Sequence, residues 1–185
     1  MKNVLIHILY VIIDFIEKAV WYVKKENLRR RLGACGKNVH IGRHFMVTCP
    51  ENIFIGDDVY IGDHCRLQST NSHIYIGNHV MLAPEVAIHG GNHRYDIVGR
   101  YMKSIRLDEK REGIDDADVV IEDDCWVAGR SIILKGVTIG KGCVIGGGAI
   151  ISKNTENYAI VVGCNKQIGK RFTDEQIKIH EELLK

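Results

Sequence analysis

The 185-residue sequence predicts an all-β solenoid of about five short coils with a helix at each end. Three observations carry this prediction. Aliphatic residues recur every six positions through Ile121, Val127, Ile133, Ile139, Ile145 and Ile151. Glycine follows such a position at Gly42, Gly56, Gly62, Gly77, Gly140 and Gly146. The core composition is 53 Ile, Leu and Val against 13 aromatics, which suits a narrow interior filled by small branched side chains. Those aliphatics are about 0.29 of the chain, so six hits at fixed positions would arise by chance about 0.0006 of the time.

A period of six matches neither the 3.6 of a helix nor the 2 of a strand. It matches one short strand plus one tight turn. The anchor points inward, and the glycine after it lets the chain turn where a Cβ is costly. Three units close a coil of 18 residues, whose edges stay unpaired until neighbouring coils stack. The first half repeats the pattern with slips: Ile41 and Val47, then Ile55, Ile61 and Leu67, then Ile76, Leu82 and Ile88. Fourteen anchors make a little under five coils.

Bulk properties exclude several classes. The net charge of +2, from 25 basic and 23 acidic residues, gives no footprint for nucleic acid. A 45% hydrophobic content excludes a disordered chain. The six cysteines are never closer than 14 residues, so no CxxC pair exists, and reduced thiols in a cytoplasmic protein are expected. Met1 to Val23 has an apolar run but no small-x-small cleavage site. Asp14, Glu17 and Lys18 also make it a poor membrane span.

The chemistry is expected where the repeat breaks. From Ile88 to Ile121 there are 33 steps where six would keep register, giving an inserted loop over 89–118. Tyr95 and Tyr101 favour an ordered, functional loop. It opens with Gly90-Gly91-Asn92-His93-Arg94-Tyr95-Asp96. A neutral imidazole accepts a proton near neutral pH, so His93 is the candidate general base. His89 is expected to pack or line the site. Asp96 either orients His93, binds an acceptor, or pairs with Arg94 or Arg100.

The segment Cys125–Lys153 resembles the hexapeptide-repeat, left-handed parallel β-helix acyltransferases. It carries Trp126 and Gly129, then Gly136-Val137 and Ile139-Gly140, then Val144-Ile145-Gly146 with Gly148, then Lys153. The resemblance covers about Val39–Arg171. His93, 16 residues after Gly77, falls where that family has its catalytic histidine, and "GGNHRYD" is similar to the motif of its xenobiotic and polysaccharide O-acetyltransferase branches. The resemblance implies acetyl-CoA as co-substrate, no metal, a sugar hydroxyl as acceptor in surface-polysaccharide assembly, and a homotrimer with its sites between copies. It assigns Trp126 to a cleft wall and the Gly129 N–H to the thioester carbonyl. Gly147 would pass the pantetheine arm, and Lys153 would contact its amides or phosphate. Asp63, Asn92 and Asp96 are the implied acceptor contacts. The family's Gly-Asn-Pro-Ala-Lys ending reads "GCNKQ" at Gly163–Gln167, so Lys166, Lys170 and Arg171 are assigned the nucleotide phosphates instead.

Alternatives on the same fold are an antibiotic acetyltransferase, a γ-type carbonic anhydrase and a non-catalytic scaffold. The anhydrase needs two zinc histidines with four residues between them, whereas His89 and His93 have three. The Gly-Gly-Thr-Gly signature of serine acetyltransferases is absent.

The expected organisation is an N-terminal helix segment 1–34, the acyltransferase domain 35–171 and a C-terminal helix 172–185. Val4–Val23 reads as one amphipathic helix, with the basic run Lys24, Lys25, Arg29, Arg30 and Arg31 following it. It either caps the first coil, packs in an oligomer, or lies on the inner face of a membrane. Thr173-Asp174-Glu175-Gln176 is a capping box that starts the last helix.

Overall fold

The structure, a computed structural model, describes residues 2–95, 97, 101–111, 113–164, 166–170 and 172–183. It is a parallel β-solenoid with three faces. The first face stacks Ala34–Cys35, Ile53–Ile55, Ile74–Ile76, Val119–Ile121 and Thr138–Ile139. The second stacks His40–Ile41, Tyr60–Ile61, Met81–Leu82, Trp126–Val127, Val144–Ile145 and Ala159–Val162. The third stacks Met46–Thr48, Arg66–Gln68, Ala87–His89, Ile132–Ile133 and Ile150–Ile151. These sixteen parallel strands, at three per turn, make five full coils and the start of a sixth.

Anchors pair with anchors. On the second face Ile41 pairs with Ile61, Ile61 with Leu82, Leu82 with Val127 and Val127 with Ile145. Thirteen of the fourteen anchors are buried, and Val47, on the first coil, is half-buried. A second interior row lies two residues before each anchor and includes Val59, Val80, Val86, Val137 and Ala149. Cys65, Cys125 and Cys143 occupy this row as small apolar fillers. Burial pushes the Cys65 thiol up to about 11 and the Cys125 thiol to about 12.

The glycine after the anchor has a different reason from the one the repeat suggested. Left-handed backbone falls three residues after the anchor, at His44, Asp58, His64, His79, Glu85, Asp124 and Arg130. The glycine instead sits where successive coils nearly touch. A Cβ on Gly77 would lie 2.5 Å from Asp123 Oδ1 and 2.8 Å from Asp123 N. Close approach of the next coil, not a positive φ, excludes the side chain.

Helix α1 (Lys2–Arg31) is longer than its apolar run, because the basic residues continue it rather than follow it. Arg29, Arg30 and Arg31 fill its last turn, where cations suit the negative end of the helix dipole. Trp21 and Leu28 pack against the core at the first coil. At the other end, Lys166–Lys170 forms a hairpin with Ala159–Val162, an element the sequence pattern did not suggest. Helix α2 (Asp174–Leu183) begins with reciprocal bonds: Gln176 N–H donates to Thr173 Oγ1 at 3.2 Å, and Thr173 N–H to Gln176 Oε1 at 3.0 Å.

Candidate active site

All three departures from the six-residue period before residue 121 fall at one corner, between the third and first faces. The first is a single 3₁₀ turn, Pro50–Asn52. The second is the turn Ser69–His73, where Ser72 Oγ donates to Gly90 O at 2.8 Å. The third is the long loop. The coils continue beneath it in register, with Ile121 paired directly to Ile76.

The loop is closed at its base. Asn92 N–H donates to Asp115 O at 2.7 Å, and Ala117 N–H donates to Gly90 O at 2.9 Å. Gly91 and Asp116 face each other in an antiparallel bridge. Beneath this stem, Lys110 Nζ lies 2.6 Å from Asp116 Oδ1, with both side chains nearly buried, and Asn71 Nδ2 donates to Asp116 Oδ2 at 3.0 Å. Arg111 binds Asp115 through Nε and NH2, both at 3.1 Å, and holds its carboxyl down at about 2. Arg94 NH1 donates to Glu109 O at 2.8 Å. The tyrosines expected to order the loop do not do so: Tyr95 and Tyr101 are exposed. Ion pairs and backbone bonds hold it instead.

His93 is the first residue beyond the zipped stem, and its side chain is exposed. It opens onto a cleft of about 540 Å³ walled by Arg94, Ile105, Arg106, Leu107, Asp108 and Lys110. Asn92 is exposed beside it. Asp96 lies outside the described residues. His89 ends its strand half-buried, and burial holds its imidazole below the usual value. Among the described residues no three His, Cys, Asp or Glu converge as metal ligands.

The other assigned residues are elsewhere on the prism. Trp126 projects outward from the second face between Met81 and Val144, half-exposed. Gly129, Gly147 and Asp63 share the corner between the second and third faces. At the corner between the first and second faces, Asp or Asn side chains cap the N–H of the coil beneath: Asp57 takes Lys37, Asn78 takes Asp57, and Asp123 takes Asn78. Asp63 does the same at its own corner, accepting from Arg43 N–H at 2.7 Å. Its carboxylate therefore serves the turn. The ladder stops there, because Pro84, Gly129 and Gly147 bring no acceptor side chain. The Gly129 N–H has no hydrogen-bond partner among the described residues. Lys153 is exposed at the loop's corner, two coils further along, and Lys166 is exposed on the final hairpin. Arg171 lies outside the described residues. One chain therefore brings His93 and Asn92 together, and Gly129, Gly147 and Asp63 together, at separate corners.

Comparison with known proteins meets this geometry. Residues 118–153 match the family model of bacterial transferase hexapeptide repeats, described as six repeats. The repeat region thus matches a hexapeptide transferase family, and the relatives and structures that the chain resembles are acetyltransferases. A chloramphenicol acetyltransferase of Klebsiella aerogenes is 34% identical over 69% of this chain, which spans only 58% of that relative. A maltose O-acetyltransferase structure from Clostridium difficile 630 is 29% identical, with a TM-score of 0.63 over 80% of this chain and 75% of that one. A hexapeptide-repeat acetyltransferase of Vibrio cholerae, solved with acetyl coenzyme A, shares the fold: 20% identity and a TM-score of 0.56 over 77% of this chain and 73% of that one. Sequence reasoning missed the clasp of the long loop, Lys110–Asp116 and Arg111–Asp115. Its signal was present as two cations followed closely by two adjacent aspartates.

Proposed function

We propose that the protein moves an acetyl group from acetyl-CoA to a hydroxyl of a sugar, with His93 as general base. The position of His93 carries the reading. It is exposed directly after a zipped stem, on a loop clasped by buried charges, and it opens onto a cleft of about 540 Å³. His93 takes the proton as the hydroxyl oxygen attacks the thioester carbonyl. The Gly129 N–H, without a partner among the described residues, faces the developing oxyanion. The imidazolium of His93 then returns its proton to the departing thiolate. Orientation of both substrates supplies up to about 7–11 kcal/mol of the barrier reduction in favourable systems.

His93 and Gly129 occupy different corners of one chain, so a shared site requires a neighbouring copy. A homotrimer supplies it, with the solenoid over 35–171 as the catalytic unit between the helical segments 1–34 and 172–185. Lys153, Lys166 and Arg171 are read as contacts to the donor, Trp126 as a wall of its cleft, Gly147 as the passage for its arm, and Asn92 and Asp96 as acceptor contacts. A sugar acceptor is supported by the maltose O-acetyltransferase among the structural relatives. Surface-polysaccharide assembly in the cytoplasm suits such an acceptor. The second reading is antibiotic acetylation, favoured by the chloramphenicol acetyltransferase relative.

The test is release of coenzyme A thiol by wild type and His93→Ala, over sugars, nucleotide sugars and chloramphenicol. Turnover with a sugar, reduced about 10²- to 10⁴-fold in the variant with donor binding intact, supports the reading. Equal turnover in the variant moves the base elsewhere. No donor binding by wild type sinks the transferase reading.

A further inference from the structure

We infer that the outward face of helix α1 docks the protein on an anionic lipid surface. Twelve aliphatic or phenylalanine side chains between Val4 and Val23 are 46 to 71% exposed, which leaves this half of the helix uncovered. At 100° per residue they span an arc of about 220°. Trp21 and Leu28, the helix residues packed against the core, lie about 20° apart on the same wheel, roughly opposite the centre of that arc. The solenoid therefore holds the helix by its narrow side and presents the wide apolar side outward. Glu17 and the Asp14–Lys18 pair, with Lys18 Nζ 2.6 Å from Asp14 Oδ2, stand on the narrow polar side.

Three features select a lipid surface over other occupants. First, an arc this wide exceeds the two-in-seven seam that a single partner helix covers, whereas a bilayer interface covers a broad face. Second, charge is polarised along the chain. The helix carries seven basic and three acidic residues, net +4, while the whole chain is +2, so everything after it is −2. Lys24, Arg30 and Arg31 are exposed at the end of the apolar stretch, where they meet phosphate headgroups. Third, no helix among the described residues is long and apolar enough to cross a membrane, so the contact lies in the interface plane. This inference does not depend on His93 or on the acceptor.

The experiment is co-sedimentation of the full chain with vesicles of phosphatidylcholine alone and of an equimolar mixture with phosphatidylglycerol. The Leu5→Glu/Ile12→Glu variant changes exposed positions that do not touch the core, so its coils keep their circular dichroism and melting temperature. Wild type is expected to bind the anionic vesicles at least about tenfold more strongly than the zwitterionic ones, and added salt weakens this binding. The Leu5→Glu/Ile12→Glu variant is expected to lose that binding about tenfold or more. Arg30→Gln/Arg31→Gln is expected to lose the preference for anionic lipid. Vesicle binding unchanged in Leu5→Glu/Ile12→Glu overturns the inference. So does a wild type that ignores both vesicles while the same variant changes its mass by light scattering, because the face is then covered by a second copy.

Discussion

Lys110→Ala tests whether the loop clasp positions His93. Lys110 Nζ and Asp116 Oδ1 are 2.6 Å apart, with side-chain exposures of 10% and 2%. Removing the lysine leaves the Asp116 carboxylate with Asn71 Nδ2, 3.0 Å away on its other oxygen, as its remaining side-chain donor in the stem. An uncompensated buried charge of this kind costs about 3–5 kcal/mol. Opening the loop admits water and relieves it, so the penalty appears as local opening rather than global unfolding. At about 1.4 kcal/mol per tenfold, a 3 kcal/mol penalty raises the open population about 100-fold. The expected result is a kcat/KM lowered about 10- to 100-fold, with faster amide exchange over residues 90–117 and a melting temperature within a few degrees of wild type. Gly91→Ala should act alike, since its new methyl would overlap the Asp116 carboxylate. Wild-type kcat/KM in a variant whose loop exchanges freely would refute the link between clasp and catalysis.

Ile133→Ala, at a fully buried anchor under the fourth coil, should destabilise by about 2–5 kcal/mol in chemical denaturation. Gly77→Ala should also destabilise, because its Cβ meets Asp123 backbone of the next coil; a neutral result would contradict the close-approach account. Arg111 lowers the folded-state pKa of Asp115, so its contribution is present above about pH 4 and is lost as pH falls towards about 2. Amide exchange of the loop followed through that window should accelerate on acidification. Thiol labelling of the native protein should modify exposed Cys164 quickly and leave Cys65, Cys125 and Cys143 protected until unfolding.

The anchors were readable because each projects into one narrow interior at a fixed period. The second interior row was not, because Cys125, Ser131, Val137 and Ala149 have little in common except modest size. Ser131 is tolerated there because its hydroxyl donates to Ala128 O at 2.7 Å, with Gly146 O at 3.0 Å. Glycine marks the left-handed turn position only at Gly136, Gly142 and Gly148; His44, Asp58 and Arg130 are among the residues that occupy it elsewhere and leave it unmarked. The end of α1 was misplaced because a basic run reads as a terminus, although Arg29 in fact stays helical and donates to Val39 O at 3.3 Å. The exposed place of His93 at the start of the loop was legible from the break and the two glycines before it. The clasp beneath it went unread although Lys110-Arg111 closely precede Asp115-Asp116, and nothing local marks Asn71, 45 residues away, as the further partner of Asp116.

The most direct test of the shared site is mixed assembly of two inactive chains, His93→Ala and Gly129→Val. The valine Cβ meets Pro84 O at 3.1 Å, a contact that a small shift relieves, while its branches fill the space before the N–H. If each site takes His93 from one copy and Gly129 from the next, random co-assembly should restore about one quarter of wild-type turnover, because each side is intact in half the copies. No recovery in mixtures shown to co-assemble would contradict the account and place the whole site within a single chain.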